Sequence, residues 1–407
     1  METLKFLMVS SHFPPYHLGG DGAFVGYLSD ELIRRGHEVT VLYSPNVYRV
    51  LRGREPATRN RVDEANLRRY AYDSRSGRLG PLLALFTGWS HGAKATLDNL
   101  AKELKPDVVH WHNTKGFIGC PIAVKGSVNL YTAHDFYSIC PRSNLLRPGT
   151  KVCEKPRFCQ LCLLRWKKPP QLWRVGGRRV FRLPPDLTTL SPSDYLAGRL
   201  AEEGIRVNHT LRNFVPDKRR LIASRKERTT ILFLGVLEVL KGPHILLEAF
   251  ANTRDKQGFD LRIIGEGSLK KELVKRVAKL GLDDRVKLPG FVPLADLSST
   301  LKETAFLVIP TVAYENSPLA AMEAFSMGIP VIGSDLGGLP EILDSESGSK
   351  VFQASSAESL GACLRLLWDQ RSDLDGMGRK ARRAYELRFS PETHIRNYMK
   401  IITGQHE

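Results

Sequence analysis

The stretch "YENSPLAAME", residues 314–323, sets Glu315 and Glu323 eight positions apart, with Pro318 and several small residues between them. Eight positions at about 100° each leave a net turn of roughly 80°, so one continuous helix would not stack the two carboxylates. Pro318 suits a first helical position and Ser317 an N-cap, which puts Glu315 in a loop and Glu323 inside the helix. The amides of Leu319 and Ala320 then lie at the positive end of a helix dipole, a place suited to an anion. A plain capped helix with two solvated acids carries the same signature. Lys241-Gly242 stands just before Pro243 and a helical pattern, and an ammonium at a helix start also suits a phosphate.

Other residues offer chemistry of different kinds. In "PPYHLGGDGAF", Gly19, Gly20 and Gly22 would let the backbone approach a bulky or charged group, although a tight turn alone asks for the same residues. The motif is not G-x-G-x-x-G, and no acid stands where a dinucleotide site needs one. "IIGEGSLKKEL" repeats the layout of strand, glycine turn and helix at Gly265 and Gly267. Cys140, Cys153, Cys159 and Cys162 are spaced C-x12-C-x5-C-x2-C. The terminal C-x2-C can grip one tetrahedral metal in a loop with little core of its own, so structural zinc is the expected occupant. An iron–sulfur cluster, a disulfide pair and reduced thiols are the alternatives. Cys120 and Cys363 read as core residues, and His110 and His112, flanking Trp111 on one strand, read as structural.

These residues need a frame, and the alternation of patterns supplies one. "LKFLMVSS", "EVTVLYS", "DVVHWHN", "VNLYTAHD" and "DLTTLSPS" predict strands in the first half, with helices over "AFVGYLSDELIRRGH" and "DYLAGRLAEEG". After a polar, basic connector near residues 208–228 the pattern restarts. "TILFLGV", "DLRIIGEG", "RVKLPGF", "TAFLVIP" and "PVIGSD" predict strands; "HILLEAFANTR", "SLKKELVKRVAKLG" and "SPLAAMEAFSMG" predict helices. The tail from Ala357 reads as helical. Strand–helix–strand units at this spacing imply parallel sheets with right-handed crossovers. The expected fold class is α/β, with two doubly wound, Rossmann-like domains and ligands outside the carboxyl ends of the strands, in the cleft between the sheets. The expected division is residues 1–207, 208–385, and a last helix over 386–407 that packs back toward the first domain.

Composition narrows the function. A chain of 407 residues exceeds one ordinary core, and 42% hydrophobic with 25% charged residues is that of a globular protein. No apolar run approaches the roughly 18 residues of a membrane span, and the first residues lack the basic start and cleavage site of a secretory signal. The expectation is a cytoplasmic protein with reduced thiols. The formal charge of +17 is concentrated: residues 142–182 hold twelve Lys and Arg against Glu154 alone, a net +11. Trp166, Trp173 and Phe181 interleave with these cations, which suits an anionic membrane face; a solvated basic surface has the same composition.

The ordered set "LGGDGAF", "TAHD", "GVLEVLKG", "IIGEG", "VKLPGFV" and "YENSPLAAMEAFSMGIPVIGSDLGGLPE" resembles the GT-B glycosyltransferases of family 4 over nearly the whole chain. The resemblance implies a GT-B fold and a retaining transfer of sugar from a nucleotide-sugar donor to a glycan or lipid-linked acceptor, with no catalytic metal. It implies donor contacts at Gly19, Gly20, Gly235, Lys241, Gly265, Glu266, Asn316, Ser317, Pro318 and Leu319, with Glu323 on the ribose. It implies that Glu315 orients the transferred sugar, that His134 contacts it, and that Lys241 stabilises the leaving diphosphate. Members similar to this chain also carry a cysteine loop after an H-D-x-x-x-x-C-P-R motif, which favours a structural role for the thiols. One position departs from the pattern: Val236 follows Gly235 where the family usually has arginine, so a bidentate cation is missing. The alternatives are a GT-B epimerase or phosphorylase and, from another class, a zinc-containing nucleic-acid-binding protein. The latter leaves the paired glutamates unexplained and no specific nucleic acid is expected.

Overall fold

The computed structural model describes residues 2–56, 66–74, 76–149, 152–154, 158–175, 181–222, 228–253 and 258–405. They divide into two compact units: Met1–Asn213 with Ile395–Glu407, and Phe214–His394. Each is built on one parallel sheet.

In the first unit the strands are β1 (Lys5–Ser10), β2 (Glu38–Tyr43), β3 (Leu67–Ala71), β4 (Val108–Trp111), β5 (Val128–Thr132), β6 (Leu187–Ser191) and β7 (His209–Thr210). Their order is β3-β2-β1-β4-β5-β6-β7, and every pairing is parallel. Phe6, Leu7, Met8 and Val9 are all buried, as a central strand covered on both faces requires. In the second unit the strands are β8 (Thr230–Leu234), β9 (Asp260–Ile264), β10 (Val286–Gly290), β11 (Thr304–Ile309), β12 (Val331–Ser334) and β13 (Lys350–Phe352), in the order β10-β9-β8-β11-β12-β13. Its core joins Ile231 and Phe233 to Leu246, Ile263, Phe306, Val308 and Ile332. Cys363 packs partly buried against that core, and Cys120 is half-buried in the first unit.

Both sheets reverse strand order once, between β1 and β4 and between β8 and β11. There two neighbouring strands send their following chains in opposite directions, and a crevice opens at their carboxyl ends. All ten strands read from the sequence are present. The short β3, β7 and β13 were not read; β3 has an exposed, charged edge character and β7 spans two residues, so neither has a periodic signal. The helix Gly20–Arg34 follows β1, and Pro391–Thr403 ends the chain's helical tail.

Candidate active site

In the second unit the crevice is assembled by close backbone contacts. The turn Val239–Lys241 ends at Gly242, whose φ is +68°. A Cβ at Gly242 would lie 1.8 Å from the Pro310 carbonyl oxygen, so only glycine lets the turn rest on the end of β11. Val312 N–H and Thr311 Oγ1 both donate to the Leu240 carbonyl at 3.0 Å. Lys241 is thereby carried to the loop after β11, where Nζ donates to Glu315 Oε1. Glu315 is fixed by its main chain: Gly338 N–H donates to its carbonyl at 2.7 Å, and Gly337, at φ +67°, leaves no room for a Cβ beside that oxygen.

The helix after this loop is Leu319–Ser326, and its N-cap is Pro318, not Ser317. Pro318 has an extended ψ of 113°, so helical geometry begins one residue later than the sequence suggests. Ser317 Oγ, released from capping, is enclosed and makes no hydrogen bond among the described residues. The amides of Leu319 and Ala320 precede the first intrahelical bond. Glu323, one turn along, accepts from Lys218 Nζ at 2.6 Å, both side chains being mostly covered. Lys218 is held in turn, since its N–H donates to Ser326 Oγ at 3.4 Å, while Arg382 clamps the neighbouring Asp217 at 2.7 and 2.9 Å and reaches the Ser326 carbonyl.

The Gly235 and Gly265 loops lie on one another. A Cβ at Gly265 would come within 1.8 Å of the Gly235 carbonyl oxygen, and one at Gly267 within 2.3 Å of that of Leu237. These glycines are therefore required by backbone against backbone. Glu238 accepts from Ser268 N–H and Oγ at 2.9 and 2.7 Å, and these bonds hold its carboxyl below the usual range. Glu266 pairs with Lys270 at 2.6 Å and accepts from Phe291 N–H at 3.3 Å. Val236 is 49% exposed on this loop.

The first unit's crevice is built differently. Asp21, in the first turn of Gly20–Arg34, accepts from Gly22 N–H at 2.8 Å and from Asn113 Nδ2 at 2.9 Å. Asn113 Oδ1 accepts from Ser11 Oγ at 3.1 Å and Lys115 N–H at 3.0 Å, which ties the ends of β1 and β4 together. Burial favours the neutral form of Asp21, but the nearby His12 and His134 and its two hydrogen bonds outweigh that and hold the carboxyl below its ordinary value. Gly22 cannot take a side chain, because a Cβ would sit 2.5 Å from that of His17. Gly19 is merely extended, with φ −154°. His12 is buried with Nδ1 unpartnered among the described residues.

His134, at the end of β5, shares a 2.9 Å hydrogen bond through Nε2 with His112 Nδ1, and their rings stack at 5.2 Å. His112, read as structural from the sequence, is the hydrogen-bond partner of His134. His110 fits that reading, sharing 2.8 Å bonds with Tyr398 Oη and Thr132 Oγ1. Burial pushes His134 down to about 4 despite the attraction of Asp21, so its imidazole is neutral at physiological pH. Asp135 caps the turn Phe136–Ser138 through Tyr137 N–H at 2.7 Å; burial pushes it up to about 6, opposed mainly by Lys115. Lys115 Nζ donates to Ser143 Oγ at 3.1 Å.

The four loop cysteines are free thiols. Cys159 and Cys162 lie one turn apart on the helix Cys159–Arg165, and Cys153 N–H donates to the Leu145 carbonyl at 2.7 Å. Burial, then the proximity of Cys140, Cys153 and Cys162, pushes the Cys159 thiol up to about 11. Among the described residues no three His, Cys, Asp or Glu side chains are grouped so as to hold a metal ion.

The residues missed by sequence reading are His12, Asp21, Asn113, His112 and Lys115 in the first unit and Lys218 in the second. Asp21, inside "GGDG", was the one with a visible signal.

Residues 18–219 match the model Glycosyltransferase Family 4, and residues 215–384 match Glycosyl transferases group 1. The chain is a glycosyltransferase, with these two domains in tandem and the GT-B class of fold. Among similar proteins, the amylovoran biosynthesis glycosyltransferase AmsK of Erwinia amylovora is 28% identical, over 48% of this chain and 50% of its own length. The glycogen synthase of Mycobacterium tuberculosis is 26% identical over 96% of this chain and 92% of its own. The crystal structure of Anabaena HepE in complex with UDP superposes with a TM-score of 0.64 at 14% identity, covering 99% of this chain and 100% of that one. These matches do not favour the epimerase, phosphorylase or nucleic-acid readings. No helix among the described residues is long and apolar enough to cross a membrane.

Proposed function

We propose that the chain moves a hexosyl group from a nucleotide-sugar donor to a glycan or lipid-linked acceptor, with retention and without a catalytic metal. The observation that carries this reading is the placing of Lys241 on Glu315 beside the start of the helix Leu319–Ser326. A diphosphate against the amides of Ser317 and Leu319 would meet fixed N–H dipoles, the Ser317 hydroxyl and an ammonium. The bond between the sugar's anomeric carbon and the phosphate oxygen breaks with its electron pair passing to the phosphate. The acceptor oxygen bonds the same face of that carbon, and its proton passes to the departing phosphate. Charge develops mainly on the leaving group, where the amides and Lys241 stand.

In this scheme Glu315 orients the sugar and Glu323 binds the ribose, each already held by a lysine. Lys218 beside Glu323 is a cation near the donor pocket of a chain with Val236 in place of arginine. Neutral His134, with His112 behind it, serves as a hydrogen-bond partner for a sugar hydroxyl. HepE has been solved in complex with UDP and UDP-glucose, which supports a uridine nucleotide as the first donor to test. A thermal-shift panel of nucleotide sugars tests the reading: a cognate donor at 100 times its dissociation constant stabilises by roughly 2.7 kcal/mol. No shift with any donor, or the same shift in Glu323→Ala and Lys241→Ala, contradicts it.

A structural zinc on Cys140, Cys153, Cys159 and Cys162 is also proposed. Their all-sulfur donor set and the placing of Cys159 and Cys162 one turn apart on one helix support it, while among the described residues no three such side chains are grouped around one point. Metal analysis of protein purified without oxygen is expected to find about one zinc per chain; iron with sulfide would replace zinc by a cluster, and metal-free protein removes the site.

A further inference from the structure

The helix Leu79–Thr87 of the first unit is turned inside out. Leu79, Leu82, Leu83 and Phe86 recur at the spacing of one helical face, and all four are exposed, Leu79 by 62%. Pro81 and Ala84 are the residues that face inward. An ordinary surface helix buries that stripe. The feature continues on a second element: on the helix Cys159–Arg165, Leu161 and Leu164 are exposed by 58% and 57% while Leu163 is buried, and Phe158 just before it is 80% exposed.

The two helices are held together. Trp173 Nε1 donates to the Leu85 carbonyl at 3.0 Å, and its ring covers Gly88. Gln160 brackets the Gln171 backbone, accepting from its N–H at 2.9 Å and donating to its carbonyl at 2.8 Å. The two exposed apolar rows thus stand on segments tied to one another, here called the shelf. Arg78, Arg165, Lys167 and Lys168 are exposed beside these rows, and residues 74–97 contain no Asp or Glu; the acids that flank them, Asp73 and Asp98, are paired with Arg49 and Lys94. A predominantly basic rim around leucines and phenylalanines complements a surface that is negative and apolar just beneath.

We propose that this shelf docks the chain on an anionic lipid bilayer, with Leu79, Leu82, Leu83 and Phe86 entering the boundary between headgroups and acyl chains. The proposal enlarges the basic segment 142–182 by an apolar anchor from a different part of the sequence. It does not depend on which sugar is transferred.

The test is sedimentation of the full chain with vesicles of phosphatidylcholine alone or mixed with phosphatidylglycerol, at low and high salt. Wild type is expected to bind the mixed vesicles at low salt and to be partly released by salt. The double variant Leu82→Asp/Leu83→Asp is expected to lower partitioning about tenfold or more, with the donor-induced thermal shift unchanged. As a measurement needing no variant, brominated acyl chains are expected to quench wild-type tryptophan fluorescence, since Trp166 and Trp173 lie on the shelf. Failure to bind mixed vesicles overturns the proposal, as does self-association through this face without lipid binding. Equal binding by wild type and the aspartate variant, with no quenching, leaves only electrostatic attraction and also overturns it.

Discussion

The two units have the same sheet plan and the same single reversal of strand order, yet they furnish their crevices in opposite ways. The second unit uses short backbone turns and ion pairs that keep part of their surface in solvent, Lys241 with Glu315 the more exposed and Lys218 with Glu323 the more covered. The first buries a carboxylate, a neutral imidazole hydrogen-bonded to a second histidine, and an amide together. The second unit's fixed cation and amides suit a charged group, and the first unit's buried polar groups suit neutral hydroxyls. Charge is best met by groups already charged and still hydrated enough to stay so, whereas hydroxyls are best sorted by groups whose protonation is pinned by burial.

The predictions sharpen this contrast in descending size. Lys241→Ala is expected to lower kcat about 10²- to 10³-fold, because a preorganised cation on the leaving group is lost; steady-state kinetics with a fixed acceptor checks it, and a change confined to KM would move Lys241 to ground-state binding. Glu323→Ala is expected to weaken donor binding about 10- to 100-fold with a smaller effect on turnover, because a charged hydrogen bond contributes about 1.5–3 kcal/mol. Titration calorimetry reads that directly.

In the first unit the expected effect is on pH dependence. His134 has a folded value near 4 and an ordinary value of 6.5, so the unfolded chain binds more protons between these limits. Stability from this group is complete above about 6.5 and is lost as pH falls toward 4. Asp135, raised to about 6, acts in the opposite sense over part of that window. Denaturant unfolding of His134→Asn should therefore show a smaller loss of stability on acidification than wild type. An unchanged slope would mean that the imidazole is not pinned neutral.

The smallest contrast concerns glycines and Val236. Gly337→Ala is expected to cost about 1–3 kcal/mol and to disturb Glu315, whereas Gly19→Ala should leave stability within about 0.5 kcal/mol. Calorimetric melting of both decides it. Val236→Arg should change donor affinity by less than tenfold, with Lys218 and Lys241 already present; a larger gain would show an incomplete cation clamp.

How far the sequence foretold this follows from how each feature is encoded. Strands buried on both faces, such as "KFLMVS", are continuous apolar runs, and the paired glutamates lie within one local motif. His12, Asn113 and His112 belong to separate strand ends that only the β1–β4 adjacency unites, so no spacing announces them. Lys218 sits in a connector with no period, one cation among several. Ser317 was misplaced by one residue because both Ser317 and Pro318 suit a helix start, and the extended ψ of Pro318 decides between them. The exposed stripe of Leu79–Thr87 has the spacing of a buried face, so sequence alone cannot tell which way it points.

A crystal structure of the chain with a nucleoside diphosphate tests the central claim most directly. The diphosphate is predicted to accept from the amides of Ser317 and Leu319 and from Lys241 Nζ, with the ribose on Glu323. A nucleotide bound elsewhere, with Lys241 still resting on Glu315 alone, would contradict it.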